Sequence, residues 1–370
     1  MKAYVERNIL FKALGHSHNI VEKRATIPIL SHVLLQAENG QIKMAATDLE
    51  LGIIETFDAR IEVEGKVTVL ENMLFEIVKR LPDGADILLE LGPEGSQLIV
   101  SSGASRFELS CLPSKDFPVV YTHELPHRFT ISQKNLTRLF KGTCFAMSNE
   151  ETRYYLNGIY FHPFENQELR AVATDGHRLA RVSVPLPEGA ENFPGIIISS
   201  KTINEILKII ANAQNSDLEI SLSETQISFK FDNIYLTSRL IDGTFPDYEK
   251  AIPQNNTKVL RLKTKPFIKA VERVSVISAQ HSRGIKVGAQ EDKLILSAVS
   301  SDIGSAVEEL VSNYKFEPIE MGFNSKYLVD IADQMDDGEA EFAFSDNNTA
   351  VVIRNVTDAQ SLYVLMPMRV

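Results

Sequence analysis

A chain of 370 residues is longer than one ordinary core spans, so two or three domains are expected, and 44% apolar with 24% charged residues exclude a disordered chain. Cys111 and Cys144, with no CxxC pair, exclude a disulfide framework and a zinc knot and point to a reducing, cytoplasmic setting. An N-terminus without an apolar signal core and the lack of any 18-residue apolar run argue against secretion and membrane spanning. The formal net charge of −11 speaks, taken alone, against a nucleic-acid partner.

Taken in chain order, the first element is a helix-like stretch, Ile9-Leu10-Phe11-Lys12-Ala13-Leu14, with apolar residues at helical spacing around a basic one. A strand pair follows and closes on a polar turn, Ile42-Lys43-Met44-Ala45-Ala46-Thr47-Asp48. Next come a strand at Val67-Thr68-Val69-Leu70, an amphipathic helix over 73–79, alternating strands such as Leu98-Ile99-Val100-Ser101, and the phrase Asp116-Phe117-Pro118. The same succession then recurs. Helix 136–141, strand Leu169 to Asp175, strand Ile196 to Ser199, helix 203–208, strand Ile227 to Phe231 and Thr244-Phe245-Pro246-Asp247-Tyr248 make a second copy. Helix 267–273, strand Leu296 to Asp302, strand Met321 to Asn324 and helix 327–332 make a third. The polar-turn aspartates Asp48, Asp175 and Asp302 are 127 residues apart both times. The chain therefore reads as three tandem α+β units, 1–126, 127–254 and 255–370, each in two halves of one helix plus antiparallel strands. Linkers are expected near 123–128 and 253–258, around His123, Pro126, Pro253 and Asn255-Asn256. Three diverged copies build an extended surface more readily than one active site, which favours a binding protein over an enzyme.

Charge follows the elements. Windows around the six helices (7–24, 71–80, 132–142, 200–210, 263–274 and 324–334) hold 16 Lys and Arg against 7 Asp and Glu, while the rest of the chain holds 22 against 42. Any single lysine here is explained by helix propensity on a solvated face. The summed asymmetry is not, and a basic helix side suits sequence-independent contact with phosphate.

Few motifs carry chemistry. Thr174-Asp175-Gly176-His177-Arg178-Leu179-Ala180 sets an acid and a histidine two apart, which admits a hydrolase reading on Asp175 and His177. However, Asp48 and Asp302 occupy the same place without a histidine, so a turn-capping aspartate accounts for it. His16-Ser17-His18 lacks a third metal ligand and reads as a surface helix end. Asp333, Asp336, Asp337 and Gly338 miss the alternation of a calcium loop, and they read as a turn, as does Pro82-Asp83-Gly84. No GxxxxGK[ST], GxSxG or HExxH segment is present. The C-terminus is apolar to its end: Tyr363 to Leu365 suit a last strand, and Met366-Pro367-Met368 beyond it suit an adaptable binding surface.

Together, Thr26-Ile27-Pro28-Ile29-Leu30, Arg153-Tyr154-Tyr155-Leu156-Asn157-Gly158, Ala173-Thr174-Asp175-Gly176-His177-Arg178-Leu179 and Met366-Pro367-Met368-Arg369 resemble the bacterial sliding-clamp family, the β subunits of DNA polymerase III, over essentially the whole chain. The resemblance implies three tandem DNA-clamp domains, each of two helices packed on antiparallel sheets, in a head-to-tail homodimer that closes into a ring around double-stranded DNA. It implies a processivity factor with no catalytic residue, no metal and no cofactor. A peptide pocket is implied at Leu156, Thr174, Gly176, His177, Arg178, Leu179, Pro246, Val364, Leu365, Met366, Pro367, Met368 and Arg369, with Asn324 and Tyr327 nearby. It would serve the polymerase III catalytic subunit, the clamp loader and repair polymerases. Lys250-Ala251 stands where the family often has Arg-Val. DNA contact falls to Arg24, Arg80, Arg138, Tyr154, Lys201 and Lys208, and the dimer contact to Arg106 and Phe107 against Val276 and Ile277. A monomeric protein-interaction scaffold and the hydrolase remain as the alternatives.

Overall fold

The computed structural model describes residues 1–22, 26–120, 125–165, 167–211, 217–278, 283–335 and 338–370, and Arg24, His123, Asp336 and Asp337 lie outside them. Among the described residues there are six α-helices, each starting where a strand stops. Strand Lys2–Glu6 runs into α1 (Arg7–Ser17), Gly65–Leu70 into α2 (Glu71–Arg80), and His127–Ser132 into α3 (Gln133–Cys144). Ile196–Ser199 runs into α4 (Ser200–Ala211), Lys258–Lys263 into α5 (Thr264–Ser275), and Ile319–Asn324 into α6 (Ser325–Ala332). These are the six half-units of the sequence. Each helix is held by one apolar stripe: α5 buries Phe267, Ala270, Val271 and Val274 at helical spacing and turns Lys265, Lys269 and Glu272 outward.

The strands form four antiparallel sheets. The chain divides into two compact units, and these do not follow the sequence repeats. Unit 1 takes 1–134, 187–194 and 201–240; unit 2 takes 135–186, 195–200 and 241–370. In unit 1 the reason is that Ile234–Arg239, from the middle repeat, pairs with Leu51–Asp58 of the first, Leu236 opposite Ile53. In unit 2, Arg178–Pro185 pairs with Asp358–Leu365 of the third repeat, Ala180 opposite Tyr363. Each pairing welds two half-units into one eight-stranded sheet.

The two smaller sheets end in open edges. Ser105–Ser110 is the last strand of the five-stranded sheet of unit 1, and Gly304–Val311 the last of the four-stranded sheet of unit 2. Both expose apolar side chains: Phe107 on the first, Val307 and Val311 on the second, the last 90% exposed. Unpaired strand edges invite another chain unless they are covered.

One expectation fails. His16 does not sit at a solvated helix end but is buried, its Nδ1 2.8 Å from the buried carboxylate of Glu55. His18 meets a different carboxylate, Glu71, at 3.0 Å. The two rings thus diverge onto separate acids, which the local sequence cannot display because both acids come from distant segments.

Candidate partner-docking site and cationic helix faces

In unit 2 the segment Thr174 to Arg178 folds into a tight turn whose bonds are made by its own side chains. Thr174 Oγ1 donates to the Arg178 carbonyl (2.7 Å) and accepts from the Gly176 N–H (3.1 Å). Asp175 Oδ1 accepts from the N–H groups of His177 (2.9 Å) and Arg178 (3.0 Å). Gly176 has φ +87°, a left-handed conformation that favours glycine, and the Arg153 guanidinium sits 2.7 Å from where a Cβ would project and would have to swing aside for a larger residue. The second Asp175 oxygen is bonded to Arg178 Nε at 3.1 Å. The carboxylate is consumed by the turn and makes no bond to the exposed His177 ring, so the orienting role that an acid–histidine pair needs is absent here.

Arg178 itself is 7% exposed. Its guanidinium donates to Asp330 on α6 (2.6 Å) and to the Phe145 carbonyl (2.5 Å), and lies 4.1 Å over the Tyr327 ring. A buried charge with these partners fixes the wall and does not reach out for a ligand. Burial, then the nearby Asp175, push the Tyr327 phenol upward. Asn324 has a structural duty as well, capping α6 by accepting from the Lys326 N–H at 3.0 Å.

Leu156, Leu179 and Val364 share one apolar cluster with Phe245, Tyr248 and Ile252. Pro246 stands exposed between buried Phe245 and Tyr248. Beneath them runs a bonded chain, in which Arg170 reaches the Tyr248 hydroxyl (3.2 Å) and that oxygen lies 3.1 Å from His162 Nε2. Burial pushes the Tyr248 phenol to about 12 and the His162 imidazole down. The neutral ring is then free to accept at Nε2 while Nδ1 faces the Pro163 carbonyl at 2.9 Å. Lys250 is 84% exposed at its side chain and pairs with Asp247 at 2.8 Å.

The C-terminus passes along this cluster. Leu179 lies opposite Val364 and Arg178 opposite Leu365, and the ladder continues one step further as the Met366 N–H donates to the His177 carbonyl (2.9 Å). Pro367 interrupts it, and the Met368 N–H then bonds the Gly322 carbonyl at 2.8 Å. Val370 rests over Gly284 and Gly322, where any Cβ would collide with it. The tail is therefore seated, not loose. Those two glycines were not singled out from the sequence; their signal is faint, two glycines within short strands. Met366 and Arg369 remain exposed.

The candidate DNA contacts are scattered over both units and mostly carry partners. In unit 1, Arg80 is bound to Glu76, Lys201 to Asp48 and the Ile20 carbonyl, and Lys208 to Glu205. In unit 2, Arg138 is bound to Asp358, and Tyr154 is 53% exposed. By contrast Lys12, Lys134, Lys141 and Lys269 are exposed on α1, α3 and α5 with no ion pair among the described residues. These lysines are available to phosphate, and single-residue reasoning overlooked them. Of the dimer candidates, Arg106 and Phe107 lie on the open edge strand of unit 1. Val276 and Ile277 follow α5, with Val276 74% exposed.

Comparison with known proteins bears on all of this. Residues 1–121, 130–247 and 249–369 match the sequence profiles of the DNA polymerase III beta subunit, N-terminal, central and C-terminal domains respectively. The beta sliding clamp of Caulobacter vibrioides (strain NA1000 / CB15N) is 44% identical over 373 residues, covering 100% of both chains. That of Rickettsia bellii (strain RML369-C) is 35% identical over 382 residues, again covering 100% of both. The crystal structure of a DnaN sliding clamp from Bartonella birtlesii bound to griselimycin, 44% identical, superposes with a TM-score of 0.97 and 100% coverage of each chain.

Proposed function

Because the chain belongs to the DNA polymerase III beta-subunit family, the beta sliding clamps, we infer a processivity factor that encircles duplex DNA and tethers polymerases to it. It is a non-catalytic accessory subunit of three tandem clamp domains, which we bound at 1–126, 127–254 and 255–370. Two chains close head to tail into a ring. The observation that carries the ring is the pair of open edges: Ser105–Ser110 and Gly304–Val311 are different surfaces, so joining one to the other is a heterologous contact, the kind that closes a ring when the rotation permits. Arg106, Phe107, Val276 and Ile277 belong to that contact.

Such a ring holds DNA by enclosure and does not need to grip. Weak, sequence-independent contacts with phosphate then let it slide. Arg24, Arg80, Arg138, Tyr154, Lys201 and Lys208 are the proposed contacts, joined by the unpaired Lys12, Lys134, Lys141 and Lys269. Arg80 would exchange the Glu76 carboxylate for a phosphate oxygen at little cost, because the pair is exposed, whereas Lys201 and Lys208 face the largely buried carboxylates of Asp48 and Glu205 and would reach phosphate while keeping them. The protein works in the cytoplasm, where the DNA and the clamp loader that opens the ring are found; among the described residues no helix is long and apolar enough to cross a membrane.

The polymerase III catalytic subunit, the clamp loader and repair polymerases dock as short peptides on unit 2. The site runs from Leu156 and Arg178 through Thr174, Gly176, His177, Leu179 and Pro246 to Val364, Leu365, Met366, Pro367, Met368 and Arg369, flanked by Asn324 and Tyr327. Support comes from the cluster around Leu156, Leu179 and Val364, and from the seated tail that continues the Val364 strand past His177 to Gly322. Few buried anchors dominate such grooves. Deleting residues 366–370 should therefore weaken binding of a peptide with aliphatic and aromatic anchors by about 2 kcal/mol or more, and unaltered affinity in calorimetry would refute the assignment.

A further inference from the structure

The turn that builds the docking site of unit 2 has a twin in unit 1. Thr47-Asp48-Leu49-Glu50-Leu51 lies 127 residues before Thr174-Asp175-Gly176-His177-Arg178 and makes the same bonds. Thr47 Oγ1 donates to the Leu51 carbonyl (3.0 Å) and accepts from the Leu49 N–H (3.0 Å). Asp48 Oδ1 accepts from the N–H groups of Glu50 (2.9 Å) and Leu51 (2.6 Å). The neighbouring strand is placed alike: Ser238 lies opposite Leu51 as Leu365 lies opposite Arg178. The next residue repeats the bond as well, with the Arg239 N–H on the Glu50 carbonyl at 2.8 Å where Met366 bonds His177 at 2.9 Å. Pro118 follows buried Phe117 as Pro246 follows buried Phe245. Between these elements of unit 1 is a cavity of about 330 Å³, within the size range of small ligand sites.

The differences show what would fill it. Gly52 and Thr237 stand where unit 2 has Leu179 and Val364, and the Val120 side chain covers the glycine, 2.9 Å from where a Cβ would project, so Val120 forms the apolar floor and an incoming side chain packs on it. The rim is apolar and exposed, with Leu49 at 47% and Val119 at 69%. Leu49 also holds φ +77° where its twin is glycine, a conformation that a bulky L-residue adopts only against strain. Folding alone would favour glycine there. The charges at the mouth, Glu50 and Arg239, are opposite in sign and 4.0 Å apart, so they select for neither a cationic nor an anionic anchor.

We propose that unit 1 carries a second peptide-docking site, centred on the cavity between the Thr47–Leu51 turn, Pro118–Val120 and Thr237, which takes an extended segment anchored by one leucine-sized aliphatic side chain. The proposal rests on the reading of unit 2 as a peptide site, from which its ligand class is taken. Thr237 and Gln226 supply polar groups at the wall for the backbone of that segment.

The test is calorimetric titration of the full-length protein with one synthetic hexapeptide carrying leucine and phenylalanine anchors. It is repeated on Val119→Glu and Leu49→Asp, both at exposed positions that do not endanger folding, and on Met366→Glu in unit 2. The expected result is two peptides per chain in the native protein, and one in each variant. Chemical-shift perturbation should separately move the Leu49 and Val119 resonances. One peptide per chain, lost in Met366→Glu and untouched in Val119→Glu and Leu49→Asp, overturns the second site while sparing the first. Binding that survives Met366→Glu but fails in Val119→Glu would instead overturn the reading of unit 2 and leave the new site standing.

Discussion

Replacing Gly322 by alanine is expected to unseat the C-terminal tail without altering a single side chain of the docking wall. A methyl group at that position would overlap the Met368 carbonyl oxygen and the Val370 side chain. A backbone carbonyl cannot swing aside as a flexible side chain can, so the tail from Met366 onward must lift. Lifting breaks the 2.8 Å bond from the Met368 N–H to Gly322, about 1 kcal/mol. It also uncovers the shielded part of Val370, which is 55% exposed already, for about 1 kcal/mol more. The Met368 bond and the Val370 contact together come to about 2 kcal/mol, and since only terminal residues are released, the melting of the rest should move little. Affinity for an anchored peptide should fall about tenfold or more, because Met366 to Met368 leave the groove. Gly288→Ala is the control: on the adjoining strand, its added carbon meets only Ile295, at 3.8 Å and beyond. Titration calorimetry beside thermal melts decides the matter. Native affinity in Gly322→Ala, with its fold intact, would refute the claim that the seated tail forms part of the site.

Relief of the strained turn should be measurable too: Leu49→Gly removes a left-handed leucine, and after the added freedom of the unfolded chain is subtracted the gain is about 1 kcal/mol or less, so a lowered melting temperature would contradict the strain. Acid should act through buried histidines. The His162 and His32 imidazoles are both held below their ordinary value, chiefly by burial. The unfolded chain therefore takes up protons first, and their contribution to stability is intact above about pH 6.5 and lost as pH falls below it, by up to about 1.4 kcal/mol per pH unit for each group. Denaturant melts of His162→Gln between pH 7 and 5 should show a shallower decline than the native protein, and an unchanged slope would remove His162 from the account.

Much of the architecture was legible because it is local. Apolar stripes such as Phe267, Ala270, Val271 and Val274 announce helices, and the Thr-Asp turns recur 127 residues apart because each is closed by its own side chains. The pairing of Leu51–Asp58 with Ile234–Arg239 was not legible, since no turn joins the two strands and alternation says nothing about a distant partner. The same holds for the docking site. Its turn and tail were visible as motifs, whereas Asp330 and Phe145, which hold Arg178, and Gly284 and Gly322, which seat the tail, come from elsewhere in the chain. Charge segregation was visible in sum, yet which basic residues are free depended on carboxylates such as Asp48, which takes Lys201, and Asp358, which takes Arg138, brought near only by folding.

A clamp of this kind holds DNA by enclosing it. Loaded by a clamp-loader ATPase onto nicked circular duplex, it should run as a particle of two chains and stay with the DNA through gel filtration, then fall away once the circle is cut. Equal retention on circular and linear DNA, or a single-chain mass at micromolar concentration, would contradict it.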